Sequence, residues 1–181
     1  MSQKTSIIII GGGAAGVGAA QVLDKKLDPR RHSVTLITEF DYMRHHPAAL
    51  RAVVTSEGEL EKDITLPYDL IFGKDKQGGK GRLSTVKVAK VSSVEETADG
   101  GFVHLEGGQR LFWDYLVVAT GSEWNGPLRW PSLRKDVPAY LNRWREKFTS
   151  AKSVVVVGGG AVGVGELYLL PVLRTLTESF H

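Results

Sequence analysis

Three short segments of the chain are continuous and apolar, at residues 6–10, 33–38 and 114–120. Continuous runs of this kind, rich in β-branched residues, predict strands buried on both faces, as in a parallel sheet. Between the first two runs, residues 12–26 carry small side chains early and larger apolar ones later, and Asp28-Pro29 follows, so we predict a helix there. The pattern therefore predicts a strand, a helix and a second strand closed by Glu39, over roughly 33 residues.

The middle of the chain has a different pattern. Residues 47–54 predict a short helix, and residues 55–82 are polar and turn-rich, with a loop at 77–81. A small antiparallel excursion with a hairpin is predicted from residues 86–94, 102–105 and 110–113, the last two flanking Gly107-Gly108. Residues 124–138 predict an irregular connector, 140–148 a charged helix and 152–157 another strand. We therefore predict an α/β chain with a Rossmann-like first domain at 1–122, a connector at 123–150 and the start of a second dinucleotide-binding domain at 151–181.

One glycine motif occurs twice. Gly11-x-Gly13-x-x-Gly16 follows the first predicted strand, and Gly158-x-Gly160-x-x-Gly163 follows residues 152–157. Two copies so far apart indicate two similar sites and not a repeat array.

The first copy has the context that a dinucleotide-binding turn requires. Gly11 allows the tight turn, Gly13 allows a pyrophosphate to approach the backbone, and Gly16 allows close packing of helix and strand. The helix that follows directs its N–H groups and positive dipole end at the phosphates. Glu39 lies where a carboxylate accepts hydrogen bonds from the adenosine ribose. The motif does not separate FAD from NAD, and the alternative is a glycine-rich turn without a ligand.

The second copy has weaker context, because no second strand and no terminal acid follow it before His181. His45-His46 invites a metal interpretation, but adjacent side chains tend to point apart, the chain has no cysteine, and Glu39 and Asp41 upstream match no metal-ligand spacing. We therefore predict no metal site.

Trp124 and Trp130 lie in the connector. Their side chains either pack within it or form an exposed patch for a partner or a membrane surface.

Composition excludes several classes of protein. Lys and Arg number 23 against 20 Asp and Glu, a net charge of +3, which gives no reason to expect nucleic-acid binding. The chain has no cysteine, so it contributes neither a disulfide framework nor a dithiol relay. No apolar run is long enough for a spanning helix and no leader pattern precedes the first strand, so the expected location is cytoplasmic.

Four segments together carry a resemblance to a known family. They are Ile10-Gly11-Gly12-Gly13, the stretch from His45 to Ala52 (HHPAALRA), residues 114–122 (DYLVVATGS) and residues 154–163. The chain resembles FAD-dependent pyridine nucleotide oxidoreductases of the apoptosis-inducing-factor-like branch, specifically the ferroptosis-suppressor type of NAD(P)H:quinone oxidoreductase. The histidine-containing stretch is the specific part of the resemblance, whereas the glycine motifs are generic.

The resemblance implies a set of cofactor contacts. Gly11, Gly12, Gly13, Ala14 and Ala15 would form the FAD pyrophosphate loop. Arg51 would be a further FAD contact, the backbone of Val91 would meet the adenine, and Thr120 and Gly121 would lie near the flavin. Hydride would pass from NAD(P)H to the flavin and then to a quinone, with peripheral membrane contact left open.

The chain also departs from the family pattern. Gly165 stands between Val164 and Glu166, and Pro171 interrupts the helix expected after the second motif. We interpret the chain as an N-terminal half, so the alternative function is a non-catalytic FAD-binding fragment. A single-domain NAD reductase is a third hypothesis, but the chain has no Tyr-x-x-x-Lys pair and the second motif would be unexplained.

Overall fold

A computed structural model of the protein describes residues 4–72 and 84–165. The chain forms two compact units, one from residues 1–43 and 67–122 and the other from residues 44–66 and 123–181. The predicted loop at 77–81 and the segment around Pro171 lie outside the described residues.

The helices and strands follow one another along the chain in a mixed order of α and β elements. They are β1 (Thr5–Ile10), α1 (Ala14–Lys26), β2 (His32–Thr38), β3 (Tyr42–Arg44), α2 (His46–Val54), α3 (Glu61–Ile64), β4 (Thr65–Pro67), α4 (Tyr68–Phe72), β5 (Ser84–Val88), β6 (Val91–Thr97), β7 (Gly100–Leu105), β8 (Arg110–Trp113), β9 (Tyr115–Val118) and α5 (Val137–Ser150). Short 3₁₀ turns occupy Glu57–Glu59, Gly126–Leu128 and Arg134–Asp136.

The first unit is built on a parallel four-stranded sheet in the order β5-β2-β1-β9. Its central strands are the two continuous apolar runs predicted from the sequence, and Ile8, Ile9 and Leu36 are almost completely buried. Burial on both faces is the physical reason why these strands show no alternation of apolar and polar residues. The order matches the first four strands of a doubly wound dinucleotide-binding fold.

The antiparallel excursion is present as a three-stranded sheet, β6-β7-β8, and the predicted hairpin joins β7 to β8. Val103 and Leu105 from β7 pack with Ile8, Ile10 and Ile37 of the parallel sheet. The prediction for residues 86–94 was only partly right, because β5 pairs with β2 in the parallel sheet and only β6 belongs to the excursion.

In the second unit, the Arg145 side chain of α5 makes hydrogen bonds to α2 and α3. Its Nε atom donates to the carbonyl of Ala52 at 2.9 Å and its Nη2 atom to Glu61 at 3.1 Å. The side chains of the ion pair are only 11% and 18% exposed. Burial raises the pKa of Glu61, but the hydrogen bond from Arg145 and the charges around the carboxyl together lower it by more, so the pKa lies below its ordinary value. The Arg145 side chain therefore joins α5 to α3 through the ion pair and to α2 through the hydrogen bond to Ala52.

Two expectations for this unit, those for residues 140–148 and 152–157, need correction, and the structure adds detail to the irregular connector. The helix predicted at 140–148 begins at Val137, where Pro138 suits the first helical turn. The connector at 124–138 contains two 3₁₀ turns and buries Trp130, whereas Trp124 is 41% exposed. Residues 152–157, all of them described, form no strand, and Val155 and Val157 are 84% and 93% exposed. An extended segment is a strand only when a neighbour accepts its backbone hydrogen bonds, and no described segment does so here.

Candidate dinucleotide-binding site

The candidate site lies at one edge of the parallel sheet. Ile10 at the end of β1 is opposite Ile37 of β2 and Val118 of β9, so these three strands end at the same level. The Gly11 turn, Glu39 and the Ala119-Thr120-Gly121 loop therefore come together, although they are far apart in sequence. In open parallel α/β sheets, ligands bind at the carboxyl ends of strands where the strand order reverses, which here is the junction of β1 and β9.

Gly11 cannot be replaced without moving the neighbouring strand end. Its φ is +113°, and a Cβ there would overlap the carbonyl of Ala119 and lie 3.0 Å from Thr120 Cα. Its N–H donates to the carbonyl of Ile37 at 2.8 Å, and the N–H of Ala119 donates to the carbonyl of Ile10 at 2.8 Å. The lack of a side chain at Gly11 thus allows the loop that contains Thr120 and Gly121 to pack against the turn.

Gly12 is held by two side chains that the sequence analysis did not single out. The hydroxyl of Tyr68 donates to the carbonyl of Gly12 at 2.9 Å and lies 3.2 Å from Thr38 Oγ1. A Cβ at Gly12 would overlap the Tyr68 hydroxyl. Tyr68 lies in the stretch that was predicted to be polar and turn-rich, yet it is buried in the core below the turn. No local pattern marks it, because its partner is 56 residues away in sequence.

Gly13 faces open space, in contrast to its neighbours. A Cβ at this position would meet no atom within 4 Å, and the residue is the N-cap of α1 with no side-chain cap. The first turn of α1 contains no acidic residue. The N–H groups of this turn have no partner within the helix, and the dipole favours negative charge. The residues present therefore fit the pyrophosphate of a dinucleotide.

Gly16 allows α1 to pack closely against the turn. A Cβ there would overlap the carbonyl of Gly11 and lie 3.4 Å from Ile9 Cγ2. Ala14 and Ala15 are exposed at the start of the helix. Gly11 and Gly16 thus each have a distinct steric reason, whereas the role of Gly13 in the approach of a pyrophosphate stays a prediction.

The other residues predicted to contact FAD are spread over both units. Glu39 is exposed directly after β2, Val91 begins β6, and Gly121 follows β9 with a φ of +70°. Arg51 lies on α2 in the second unit, where its guanidinium contacts Glu57 at 3.3 Å. Their roles in binding FAD stay predictions.

His45 and His46 begin α2 in the second unit. Burial lowers the pKa of His46, and the charges of Arg44 and His45 lower it further, so its imidazole is neutral at pH 7. Its Nε2 atom is buried and has no hydrogen-bond partner among the described residues. Within residues 4–72 and 84–165 no group of three or more His, Asp or Glu is arranged to hold a metal ion.

The second glycine motif has the same local geometry as the first. Gly158 has a φ of +112°, and a Cβ at Gly163 would overlap the carbonyl of Gly158 and lie 3.4 Å from Val156 Cγ1. The N–H of Val164 donates to the carbonyl of Gly160 at 3.0 Å, as that of Val17 does to Gly13 at 2.9 Å. A Cβ at Gly160 would meet nothing within 4 Å, which repeats the open face of the first turn.

A parallel sheet in this order, with a glycine turn at the carboxyl end of its central strand, defines a dinucleotide-binding α/β protein. The family model described as pyridine nucleotide-disulphide oxidoreductase matches residues 5–167. The chain therefore belongs to the pyridine nucleotide-disulphide oxidoreductase family.

Individual relatives agree with the resemblance noted in the sequence. The chain is 43% identical over 112 residues to the FAD-dependent oxidoreductase FVFD30 of Flammulina velutipes, covering 62% of this chain and 33% of the relative. It is 35% identical over 164 residues to apoptosis-inducing factor homolog B of Dictyostelium discoideum, covering 89% and 37%. Ferroptosis suppressor protein 1 of Xenopus laevis is 33% identical over 169 residues, covering 91% and 40%. The chain thus spans between 33% and 40% of the length of these relatives.

A solved structure supports the fold. NDH2 from Plasmodium falciparum in complex with NADH aligns with a TM-score of 0.62 over 96% of this chain and 38% of that protein, at 20% identity. In the described part of the chain, no helix is both long and apolar enough to cross a membrane.

Proposed function

We propose that the first unit binds FAD, with the pyrophosphate on the turn from Gly11 to Ala15. The observation that carries this proposal is the open backbone at Gly13, at the start of α1, where no side chain caps the helix and the first turn has no acidic residue. Membership of the family and the similarity to named FAD-dependent and apoptosis-inducing-factor proteins support FAD over NAD at this site. Glu39 would accept hydrogen bonds from the ribose hydroxyls, and Arg51 and Val91 would be further contacts.

We propose further that the protein acts as an FAD-dependent NAD(P)H oxidoreductase. The second glycine turn, with Gly158, Gly160 and Gly163, would hold the pyrophosphate of NAD(P)H, and its local geometry supports this assignment. A quinone-type acceptor is supported by the resemblance carried by the stretch from His45 to Ala52. The flavin supplies the hydride and electron chemistry when bound, and the residues of this chain bind and orient it.

A second candidate function is FAD binding without turnover. It is favoured by the exposure of Val155 and Val157 and by the lack of strand pairing at residues 152–157. The two candidates share the first site and differ only in whether NAD(P)H is used.

An absorbance spectrum tests both candidates. The purified chain is incubated with FAD, desalted and scanned, and retained flavin gives a band near ~450 nm. Stoichiometric retention followed by bleaching with NADH under anaerobic conditions supports the oxidoreductase, whereas retention without bleaching supports binding alone. A colourless protein contradicts the FAD site in this chain.

A further inference from the structure

An Asn-Gly pair occurs once in the chain, at Asn125 and Gly126 in the second unit. The chain has one other asparagine, Asn142, which precedes Arg143 within α5. Asn125 is the N-cap of the 3₁₀ turn Gly126–Leu128, with φ −96° and ψ 167°. Both residues of the pair are exposed, so water and hydroxide have access to the peptide bond between them.

The side-chain amide of Asn125 is not held by the backbone of its own turn. An N-cap asparagine ordinarily accepts a hydrogen bond from the N–H of the second or third residue of the helix. Here the second residue is Pro127, which has no N–H, and the turn has no side-chain cap hydrogen bond. Among the described residues, the N–H of Gly126 has no hydrogen-bond partner either. The backbone nitrogen of Gly126 and the side-chain carbonyl carbon of Asn125 are therefore both available for reaction.

Glycine at position 126 leaves the approach to this carbon unobstructed. Gly126 has a φ of +64°, in the left-handed region, and has no side chain beside its nitrogen. The space around it is also open, since a Cβ there would meet no protein atom within 4 Å. The pair lies in an exposed turn and not within a long helix or a sheet, so few hydrogen bonds oppose the backbone rotation that ring closure requires.

We propose that Asn125 is a site of spontaneous deamidation in the folded chain. The nitrogen of Gly126 loses its proton to hydroxide and forms a bond to Cγ of Asn125, while the side-chain amide group takes up a proton and leaves as ammonia. Water then opens either C–N bond of the resulting succinimide ring and yields aspartate or isoaspartate. No atom changes its oxidation state, and hydroxide and water are the co-reactants. The proposal does not depend on FAD binding, since neither residue belongs to a glycine turn.

The isoaspartate product would alter a contact of α5. The carbonyl of Gly126 accepts hydrogen bonds from the Tyr140 hydroxyl at 2.8 Å and from the N–H of Arg129 at 3.1 Å. Isoaspartate adds one carbon atom to the main chain directly before Gly126, so this carbonyl cannot keep its position relative to both donors. The aged protein should therefore unfold at a lower urea concentration than the fresh protein.

Timed incubation of the whole chain at mildly alkaline pH, followed by tryptic mass spectrometry, tests the proposal. Trypsin places Asn125 in the peptide 111–129 and Asn142 in the peptide 136–143. Asn142 is the internal control, because arginine follows it and its side-chain oxygen accepts a hydrogen bond from Arg145 at 3.1 Å. Conversion of amide to acid should accumulate in the first peptide and not in the second. The folded chain and the chain unfolded in urea should react at rates within about threefold of each other, because opening an exposed loop costs little free energy.

Two variants separate the chemistry from the stability of the turn. Gly126→Ala keeps Asn125 and should lose most of the modification, because a methyl group obstructs the attacking nitrogen. Alanine at a φ of +64° is strained, so Asn125→Gln, which removes no described hydrogen bond, is the second variant. It should fold like the parent chain, lose the modification because a larger ring would have to form, and keep its urea midpoint on ageing.

Three results would overturn the proposal. They are equal modification of both asparagines, an unmodified Asn125 in the folded chain while the unfolded chain reacts, and an unchanged rate in Gly126→Ala. A urea midpoint that falls equally on ageing in the parent chain and in Asn125→Gln would contradict the altered contact of α5. FAD retention by the fresh parent chain is measured separately, so a failure of this proposal is distinguishable from a failure of the FAD site.

Discussion

Substitution of Gly13 by valine isolates the phosphate-binding role of the first turn. The residue has φ −80° and ψ −172°, an extended conformation that valine adopts readily. A Cβ at this position meets no protein atom within 4 Å. The variant should therefore fold, with a loss of about 1 kcal/mol in the free energy of unfolding, because glycine is preferred over valine at an N-cap.

The effect on FAD should be much larger. A phosphate oxygen that accepts hydrogen bonds from the first turn of α1 would lie about 2.9 Å from the backbone nitrogens, in space that the valine side chain fills. Loss of two hydrogen bonds to a charged group, at about 1.5–3 kcal/mol each, amounts to about 3–6 kcal/mol. The dissociation constant for FAD should rise about 10²- to 10⁴-fold.

Fluorescence titration of FAD into the apo chain measures this change, and urea unfolding monitors stability. Gly18→Ala is the matched control, since Gly18 lies inside α1 and a Cβ there also meets nothing within 4 Å. It should raise stability by about 0.5–1 kcal/mol and leave FAD binding unchanged. Gly160→Val, at the equivalent position of the second turn, should also leave FAD binding unchanged. Stoichiometric FAD retention by Gly13→Val, or an equal loss in Gly18→Ala, would refute the reasoning.

Further predictions concern stability. Tyr68→Phe should cost about 1–3 kcal/mol in urea unfolding, because the carbonyl of Gly12 loses its donor; an unchanged midpoint would show that water replaces the hydroxyl. Arg145→Met should lower the free energy of unfolding by about 2–4 kcal/mol, because Glu61 is left without its ion-pair partner. An unchanged free energy of unfolding would contradict a stabilising role for the ion pair. Because the folded pKa of Glu61 lies below its ordinary 4.5, the ionised carboxylate contributes fully to the free energy of unfolding above pH 4.5, and this contribution is lost as the pH falls through the folded pKa. Arg145→Met should make the free energy of unfolding less dependent on pH in this range. The folded pKa of His46 is also lowered, so the free energy of unfolding should begin to fall as the pH drops below about 6.5 and should level off below the folded pKa. His46→Asn should remove this decrease near pH 6.5, while the decrease due to Glu61 at lower pH should remain.

The elements that sequence analysis predicted correctly are those with a strong local cause. The continuous apolar runs of β1 and β2 are typical of strands that are buried on both faces. Glycines at positions 11, 13 and 16, directly after a strand, are typical of a dinucleotide-binding turn. The helix at α1 follows from the same motif. These features predict the fold class and the position of the first site.

Other elements depended on partners far away in the chain. Residues 152–157 resemble β1 in composition, yet they form no strand because no described segment supplies hydrogen-bond partners. Ser84–Val88 lies next to the excursion in sequence but pairs with β2 in the parallel sheet. A local sequence pattern indicates that a segment prefers the extended conformation, but it does not indicate whether another strand is present to pair with it.

For this chain, the sequence by itself determined the dinucleotide-binding α/β class, the two glycine turns and the lack of cysteine among its 181 residues. Each of these follows from residue types or from spacing over a few residues. Only the tertiary structure decided that Tyr68 and Thr38 contact Gly12, that Ala119 lies against Gly11, and that Arg145 joins Ala52 to Glu61. These contacts join residues between 30 and 108 positions apart, and their energies arise from packing and desolvation that no local pattern encodes.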